Sequence, residues 1–218
     1  MSLNNMYTKY LFDLDGTLID TSVGVAKALK KVFEILDISY SDSIIEKFIG
    51  PPMEESFVKY FDLDYNNALE KANLFRNIYK ETLYSACIYE GILDLLGTLK
   101  SKGFSLAVAT SKSHENALRI LNHFDMIKYF DYIQGADLNG KLSKTNIMEI
   151  CMKQLNANQN NCVMIGDSIA DSVGSKNLNI DFLAVLYGFG FKGDDDFNNI
   201  YYKKCFKNIK ELKYFLLR

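Results

Sequence analysis

Near its N-terminus the chain reads Thr8-Lys9-Tyr10-Leu11-Phe12-Asp13-Leu14-Asp15-Gly16-Thr17-Leu18. The apolar first half predicts a short buried strand, and the acids and glycine that follow predict a turn at its end. Because side chains two residues apart on an extended backbone project to the same side, Asp13 and Asp15 are expected to share one site. Paired carboxylates suit metal binding, or a nucleophile beside an acid whose pKa a like charge raises. Asp-Gly is also a common turn pair, so this stretch alone fits a plain turn equally well.

Four further apolar runs of the same kind occur at residues 105–110, 132–135, 162–166 and 182–186. Helical patterns lie at about 92–102, 114–124, 144–155 and 169–178, and a last amphipathic helix closes the chain. The expected N-caps of these helices are Ser113, Ser143, Ser168 and Asn208. Strands that are apolar on both faces and alternate with helices predict an α/β fold, a Rossmann-like, doubly wound parallel sheet covered on both sides.

Residues 21–86 interrupt this alternation, because they contain helical patterns and nothing that predicts a strand. One helical stripe comprises Val25, Ala26, Leu29, Val32, Phe33 and Leu36. Pro51-Pro52-Met53 predicts the start of another helix. The expected organisation is therefore a core of residues 1–20 and 87–218 with an inserted all-helical cap of residues 21–86.

The composition disfavours several classes of protein. The 218 residues carry 25 Lys and Arg against 27 Asp and Glu, a net charge of −2, so a dedicated nucleic-acid binder is not expected. No stretch approaches the roughly 18 uncharged apolar residues of a membrane span. Residues 1–6 lack the charged-then-apolar pattern of a signal peptide. No membrane partner is expected, and a monomer is the default, with a dimer left open.

The cysteines are Cys87, Cys151, Cys162 and Cys205, and no two of them form a C-x-x-C pair. Buried, reduced thiols in a cytoplasmic protein are therefore expected, rather than a zinc site or a disulfide framework. Any metal here is expected to be a hard cation held by carboxylates.

Three more polar segments lie at or just beyond the expected ends of strands, where open parallel sheets bind ligands. They are Thr110-Ser111-Lys112, Lys144, and Gly166-Asp167-Ser168-Ile169-Ala170-Asp171. The hydroxyls and backbone amides of the first segment suit the binding of an anionic oxygen. The two acids of the third segment, which lie at the start of a helix, suit Mg²⁺. Each segment also has a purely structural interpretation. The first could cap a helix, Lys144 could be a solvated surface lysine, and the acids of the third could complement a helix N-terminus.

The order and spacing of these segments resemble the haloacid dehalogenase superfamily, in its branch of phosphatases with a helical cap. Asp13-Leu14-Asp15-Gly16-Thr17 looks like the first motif, Thr110 the second, Lys144 the third, and Gly166-Asp167-Ser168 with Asp171 the fourth. Residues 49–57 and Tyr187-Gly188-Phe189-Gly190 are similar to the phosphoglycolate-phosphatase-like branch, as weaker signals.

The resemblance implies a Mg²⁺-dependent phosphatase of small phosphorylated metabolites. Asp13 would be the nucleophile that forms an aspartyl-phosphate, and Asp15 the general acid and base. Mg²⁺ would be bound by Asp13, Asp167 and the backbone carbonyl of Asp15, with Asp171 acting directly or through water. The residues expected to bind the phosphate are Gly16, Thr110, Ser111 and Lys144.

The sequence departs from the family pattern at Thr145, where family members often have proline, so Lys141 stays an alternative to Lys144. Because dehalogenases of the family lack an acid two residues after the nucleophile, Asp15 favours phosphoryl transfer.

Phosphoglycolate, 5′-nucleotides and pyrophosphate are the candidate substrates. The alternatives are a mutase similar to β-phosphoglucomutase and a non-catalytic module that binds a phosphorylated ligand.

Overall fold

The computed structural model describes residues 7–137, 141–191 and 200–218. The prediction that residues 1–6 carry no signal peptide concerns residues outside these ranges. Two compact units make up the chain: Met1–Ile19 with Ile88–Arg218, and Asp20–Cys87. The larger unit is an α/β core, and the smaller unit is helical.

The core is built on a six-stranded sheet in which every pair of neighbours is parallel. Its strands are β1 (Lys9–Phe12), β4 (Ser105–Ser113), β5 (Tyr132–Ala136), β6 (Cys162–Gly166), β7 (Asp181–Val185) and β8 (Lys204–Phe206). Their spatial order is β5-β4-β1-β6-β7-β8. A separate two-stranded sheet pairs β2 (Ile19–Asp20) with β3 (Cys87–Ile88).

The helices of the core follow its strands, as right-handed parallel crossovers require. They are α5 (Ile92–Ser101), α6 (His114–His123), α7 (Lys144–Gln154), α8 (Ile169–Leu178) and α9 (Ile209–Leu216). The fold class expected from the sequence is confirmed. Burial on both faces explains the apolar run Tyr10–Phe12 of β1 and the apolar composition of β6.

Strand β1 lies in the middle of the sheet, between β4 and β6. Phe12 pairs with Val108 of β4 on one side and with Ile165 of β6 on the other. The Asp13 backbone N–H then donates to the Ile165 carbonyl at 2.9 Å. This register brings the residues that follow β1, β4 and β6 to one edge of the sheet.

The helical unit consists of four helices around an aromatic core. They are α1 (Ser22–Ile35), α2 (Asp42–Phe48), α3 (Met53–Phe61) and α4 (Tyr65–Thr82). The rings of Phe33, Phe48 and Phe57 are fully buried and meet edge to face at centroid distances of 5.0–6.2 Å. Such pairs prefer this geometry and add to the stabilisation from buried area. The first turn of α4 is capped by Asp64, which accepts from the N–H groups of Asn66 and Asn67.

The helix caps follow the sequence predictions with one exception. Ser143, Ser168 and Asn208 each accept a backbone N–H from the first turn of their helix. Ser113 occupies the predicted N-cap position of α6, but its side chain makes no capping hydrogen bond. The position was therefore predicted correctly, and the side-chain cap was not. The backbone of β4 continues to Ser113, beyond the expected end of the strand.

The cysteines are all free, and Cys151 and Cys162 are fully buried. Burial raises the pKa of both of these thiols to about 12, so they stay protonated. The expectation of burial was wrong for Cys87, which is exposed, and for Cys205, which is partly exposed. Among the described residues, no helix is both long and apolar enough to cross a membrane.

Candidate active site

The polar residues singled out in the sequence gather at the edge where the parallel strands end. Asp13 follows β1, Thr110 lies in the last part of β4, and Asp167 follows β6. Asp171 lies in the first turn of α8, and Lys144 is the first residue of α7. Asp13 and Asp15 lie beyond the end of β1, so it is the turn after the strand, and not strand alternation, that positions them.

Lys144 joins two of the acids in the centre of the cluster. Its ammonium group lies 2.8 Å from Oδ1 of Asp13 and 2.8 Å from Oδ1 of Asp171. All three residues are buried. Burial alone would lower the pKa of Lys144, but the two carboxylates outweigh it and raise this pKa, so the lysine keeps its charge. Burial raises the pKa of Asp13 to about 6, although Lys144 opposes the shift.

Asp167 is held by two backbone N–H groups and one hydroxyl. Its Oδ2 accepts from the N–H groups of Phe189 at 3.0 Å and Gly190 at 2.9 Å, and its Oδ1 accepts from the Thr17 hydroxyl at 3.4 Å. Burial, together with the charges of Asp13 and Asp171, raises the pKa of Asp167 to about 8.

Asp15 has a lysine partner that the sequence reasoning missed. Nζ of Lys112 lies 2.9 Å and 3.2 Å from the two carboxylate oxygens of Asp15. The side chain of Lys112 is only 8 % exposed, and that of Asp15 is 23 % exposed. The sequence prediction for Thr110-Ser111-Lys112 concerned only its hydroxyls and backbone amides. The signal for this ion pair is a lysine directly after a predicted buried strand.

Asp171 is part of a capping box. Its Oδ2 accepts from the backbone N–H of Ser168 at 3.1 Å and from the Ser168 hydroxyl at 2.7 Å. The Asp171 N–H donates to the Ser168 hydroxyl in return. A Cβ on Gly166 would lie 2.3 Å from Oδ2 of Asp171, so only glycine fits at the end of β6. The structure thus combines the two interpretations of Asp171: it caps the helix, and it lies in the acid cluster.

The cluster fits a divalent cation. Ligand oxygens of Asp13, Asp167 and Asp171 lie within 4.8 Å of one another, and all three residues are buried. Oδ1 of Asp171 is fully buried, and its partner there is the ammonium group of Lys144 at 2.8 Å. Carboxylate oxygens are what Mg²⁺ prefers.

The expected phosphate-binding residues occupy different surroundings. Thr110 is 1 % exposed, and its Oγ1 accepts the Lys112 N–H at 3.1 Å, which leaves the hydroxyl proton to donate elsewhere. Ser111 is exposed on β4, and Gly16 has a φ of +77° beside Asp167. Lys141 is exposed, so of the two candidate lysines Lys144 is the one in contact with the acids.

Together, the fold and this cluster define an α/β core that gathers carboxylates and lysines at the edge where its parallel strands end. Residues 10–185 match the haloacid dehalogenase-like hydrolase family, and the chain belongs to that family. It is 34% identical over 187 residues to a 5′-nucleotidase of Pseudomonas aeruginosa, covering 84% of this chain and 85% of that protein.

A phosphoglycolate phosphatase of Colwellia psychrerythraea is 29% identical over 213 residues, 93% of each chain. A crystal structure of a predicted phosphatase from Clostridium acetobutylicum superposes with a TM-score of 0.89 at 36% identity, covering 97% of this chain and 99% of that one. The resemblance drawn from the motifs and the expectation of a phosphatase-type hydrolase are confirmed by these comparisons. The roles of the individual residues stay predictions.

Proposed function

We propose that the protein is a Mg²⁺-dependent phosphatase that hydrolyses small phosphate monoesters through an aspartyl-phosphate on Asp13. The observation that carries the proposal is the buried cluster in which Lys144 contacts Asp13 and Asp171 while Asp167 lies beside them. Four carboxyl groups against two lysines would leave the site negative and repel a phosphate ester. A divalent cation removes that conflict, and Asp13, Asp167, the Asp15 carbonyl and Asp171, directly or through water, would hold it.

The chemistry divides into two displacements at phosphorus. When bound, Mg²⁺ offsets the repulsion between carboxylate and phosphate and stabilises charge on the transferring oxygens. In the first displacement a carboxylate oxygen of Asp13 attacks phosphorus, the bond to the ester oxygen breaks, and Asp15 gives its proton to the leaving alkoxide. In the second, Asp15 takes a proton from water, the water oxygen attacks phosphorus, and the Asp13 carboxylate and inorganic phosphate are released.

The cations and hydroxyl of the site bind and orient the substrate in this proposal. Lys144 already contacts Oδ1 of Asp13, which leaves Oδ2 as the attacking atom. Its ammonium group and the Thr110 hydroxyl would hold the phosphoryl oxygens, with further donors at Ser111 and Gly16. The helical unit of residues 20–87 is assigned the role of the family's cap domain.

Replacement of the nucleophile tests the proposal. Asp13→Asn keeps the shape of the side chain but removes the attacking carboxylate, so turnover of p-nitrophenyl phosphate with Mg²⁺ is expected to fall by at least about 10³-fold. The matched control is Asp94→Asn, an exposed acid of α5 paired with Lys213, which should retain wild-type turnover. Near-wild-type activity of a folded Asp13→Asn would overturn the proposal.

A phosphoglycolate-like, small carboxylated phosphate ester is the leading substrate class, supported by the relative from Colwellia that matches along nearly the whole chain. A 5′-nucleotide is the second candidate, supported by the Pseudomonas relative. Comparison of kcat/KM for phosphoglycolate, 5′-nucleotides and pyrophosphate ranks these candidates. Glucose 1-phosphate belongs in the same panel, because isomerised sugar phosphate instead of free phosphate would indicate a mutase.

A further inference from the structure

The segment Tyr187–Gly190 begins two residues after the end of β7, and the proposed chemistry gives its motif-like pattern no role. It lies against Asp167, since Phe189 and Gly190 donate their backbone N–H groups to Oδ2 of that residue at 3.0 and 2.9 Å. Two N–H donors on one carboxylate oxygen fix the direction of the second oxygen. The segment therefore determines which way Oδ1 of Asp167 faces.

Glycines surround the same carboxylate. A Cβ on Gly188 would lie 2.4 Å from Oδ2 of Asp167 and 2.2 Å from the Gly16 carbonyl oxygen. A Cβ on Gly190 would lie 2.2 Å from the Asp167 carbonyl oxygen, and one on Gly16 would lie 2.0 Å from Oδ2 of Asp167. Backbone from the turn after β1 and from the turn after β7 thus packs directly on Asp167, with no space for a side chain at these three positions.

Tyr187 joins the two turns. Its hydroxyl donates to the Thr17 carbonyl at 3.0 Å, and its ring packs against Tyr89 at a centroid distance of 4.9 Å. Thr17 also donates its own hydroxyl to Oδ1 of Asp167. Tyr187 therefore connects the segment after β7 to Thr17, whose hydroxyl also contacts the Asp167 carboxylate.

We propose that Tyr187–Gly190 is a positioning segment that holds the Asp167 carboxylate in its cation-binding orientation, so that Mg²⁺ affinity depends on this turn. The inference rests on the proposed function, because it concerns the cation of that same site. Groups that orient a metal ligand commonly change metal affinity by about 10–100-fold when they are altered.

The test measures Mg²⁺ alone, by calorimetric titration of the whole protein without substrate. Gly188→Ala is expected to weaken Mg²⁺ binding by about tenfold or more, because the new methyl group displaces Asp167 or the Gly16 turn. Tyr187→Phe retains the ring and loses only the hydroxyl, so we expect a loss of about fivefold. Circular dichroism and thermal unfolding in EDTA check that each variant is folded.

The matched controls make the same two types of substitution at positions away from the acid cluster. Gly97→Ala adds a methyl group in α5, where the nearest atom lies 3.9 Å away, and Tyr132→Phe removes a hydroxyl that donates to Gln134. Both should bind Mg²⁺ as the wild type does. Equal affinity of wild type and folded Gly188→Ala overturns the inference alone, and if Gly188→Ala does not fold, Tyr187→Phe decides it. A wild type that binds no Mg²⁺ overturns both this inference and the metal-dependent function.

Discussion

Lys144 is the residue on which the electrostatics of the site depend. Its side chain is 6 % exposed and lies between two carboxylates that are 11 % and 0 % exposed. A buried ion pair contributes little net stability when intact, but removal of one partner leaves an uncompensated charge in a region of low dielectric. The lysine is thus required both to keep its neighbours buried and, in the proposed mechanism, to hold phosphoryl oxygens.

Lys144→Met should therefore lose stability as well as activity. Urea unfolding is expected to show a loss of about 3–5 kcal/mol in the free energy of unfolding, because Asp13 and Asp171 lose their cation. Lys153→Met, on the exposed face of the same helix and paired with Glu149, is the control and should cost less than about 1 kcal/mol. Equal stability of the two variants would contradict the structural role assigned to Lys144.

Helix α8 combines a structural cap with a functional residue. Ser168 and Asp171 form a reciprocal capping box, and Asp171 also belongs to the acid cluster. Helix α9 has a similar cap, in which Asn208 accepts the Glu211 N–H, but it lies at the end of the chain and not among the acids.

Substitutions in these two helix caps separate an effect on stability from an effect on activity. Ser168→Ala and Asn208→Ala should each lower the free energy of unfolding by about 1 kcal/mol, because each leaves a first-turn N–H without its side-chain acceptor. Only Ser168→Ala should also reduce phosphatase kcat/KM, since Oδ2 of Asp171 loses the hydroxyl donor of Ser168 and keeps only its backbone N–H. An equal change of kcat/KM in both variants would mean that the capping box does not position Asp171.

The elements differed in how well the sequence predicted them. Strand β6 was predicted with its observed bounds, because five consecutive apolar residues bounded by polar ones fit a strand buried on both faces. Strand β8 (Lys204–Phe206) was missed, since its three residues include a lysine and, among the described strands, it pairs with β7 alone. The two-residue strands β2 and β3 are too short to produce any periodicity.

The candidate site was also predictable only in part. Asp13, Asp167 and Lys144 are named by motif order, and strand register then places them together. The Lys112–Asp15 pair depends on side-chain directions after β4 that no spacing specifies. The contact of Phe189 and Gly190 with Asp167 joins residues 22 and 23 positions apart through backbone N–H groups. The glycines of this segment indicate close packing, but their pattern does not say which side chain they contact.

At the scale of the whole molecule, the raised carboxyl pKa values make stability depend on pH when no cation is bound. The folded protein holds protons on Asp13 up to about pH 6 and on Asp167 up to about pH 8, whereas the unfolded chain releases them near 3.8. The folded state therefore binds more protons between these values, and its stability falls as the pH rises through this window.

Thermal unfolding in EDTA at pH 5.5, 7.0 and 8.5 measures this effect. The wild type is expected to lose stability relative to Asp167→Asn as the pH rises, by about 1.4 kcal/mol for each unit of pKa difference that is titrated. Asp167→Asn lacks the titrating group and should show the shallower dependence. A wild type that gains stability over the variant toward pH 8.5 would contradict the raised pKa of Asp167.

The place of β1 in the sheet has a consequence for biosynthesis. This strand is made first, yet its two neighbours in the sheet are made about 95 and 150 residues later, since Lys9 pairs with Ser105 and with Cys162. A growing chain on the ribosome therefore exposes Asp13 long before β6 can emerge and cover it. Truncated products that stop before residue 162 would contain the proposed nucleophile and the whole helical unit, but they would lack both β6 and Asp167.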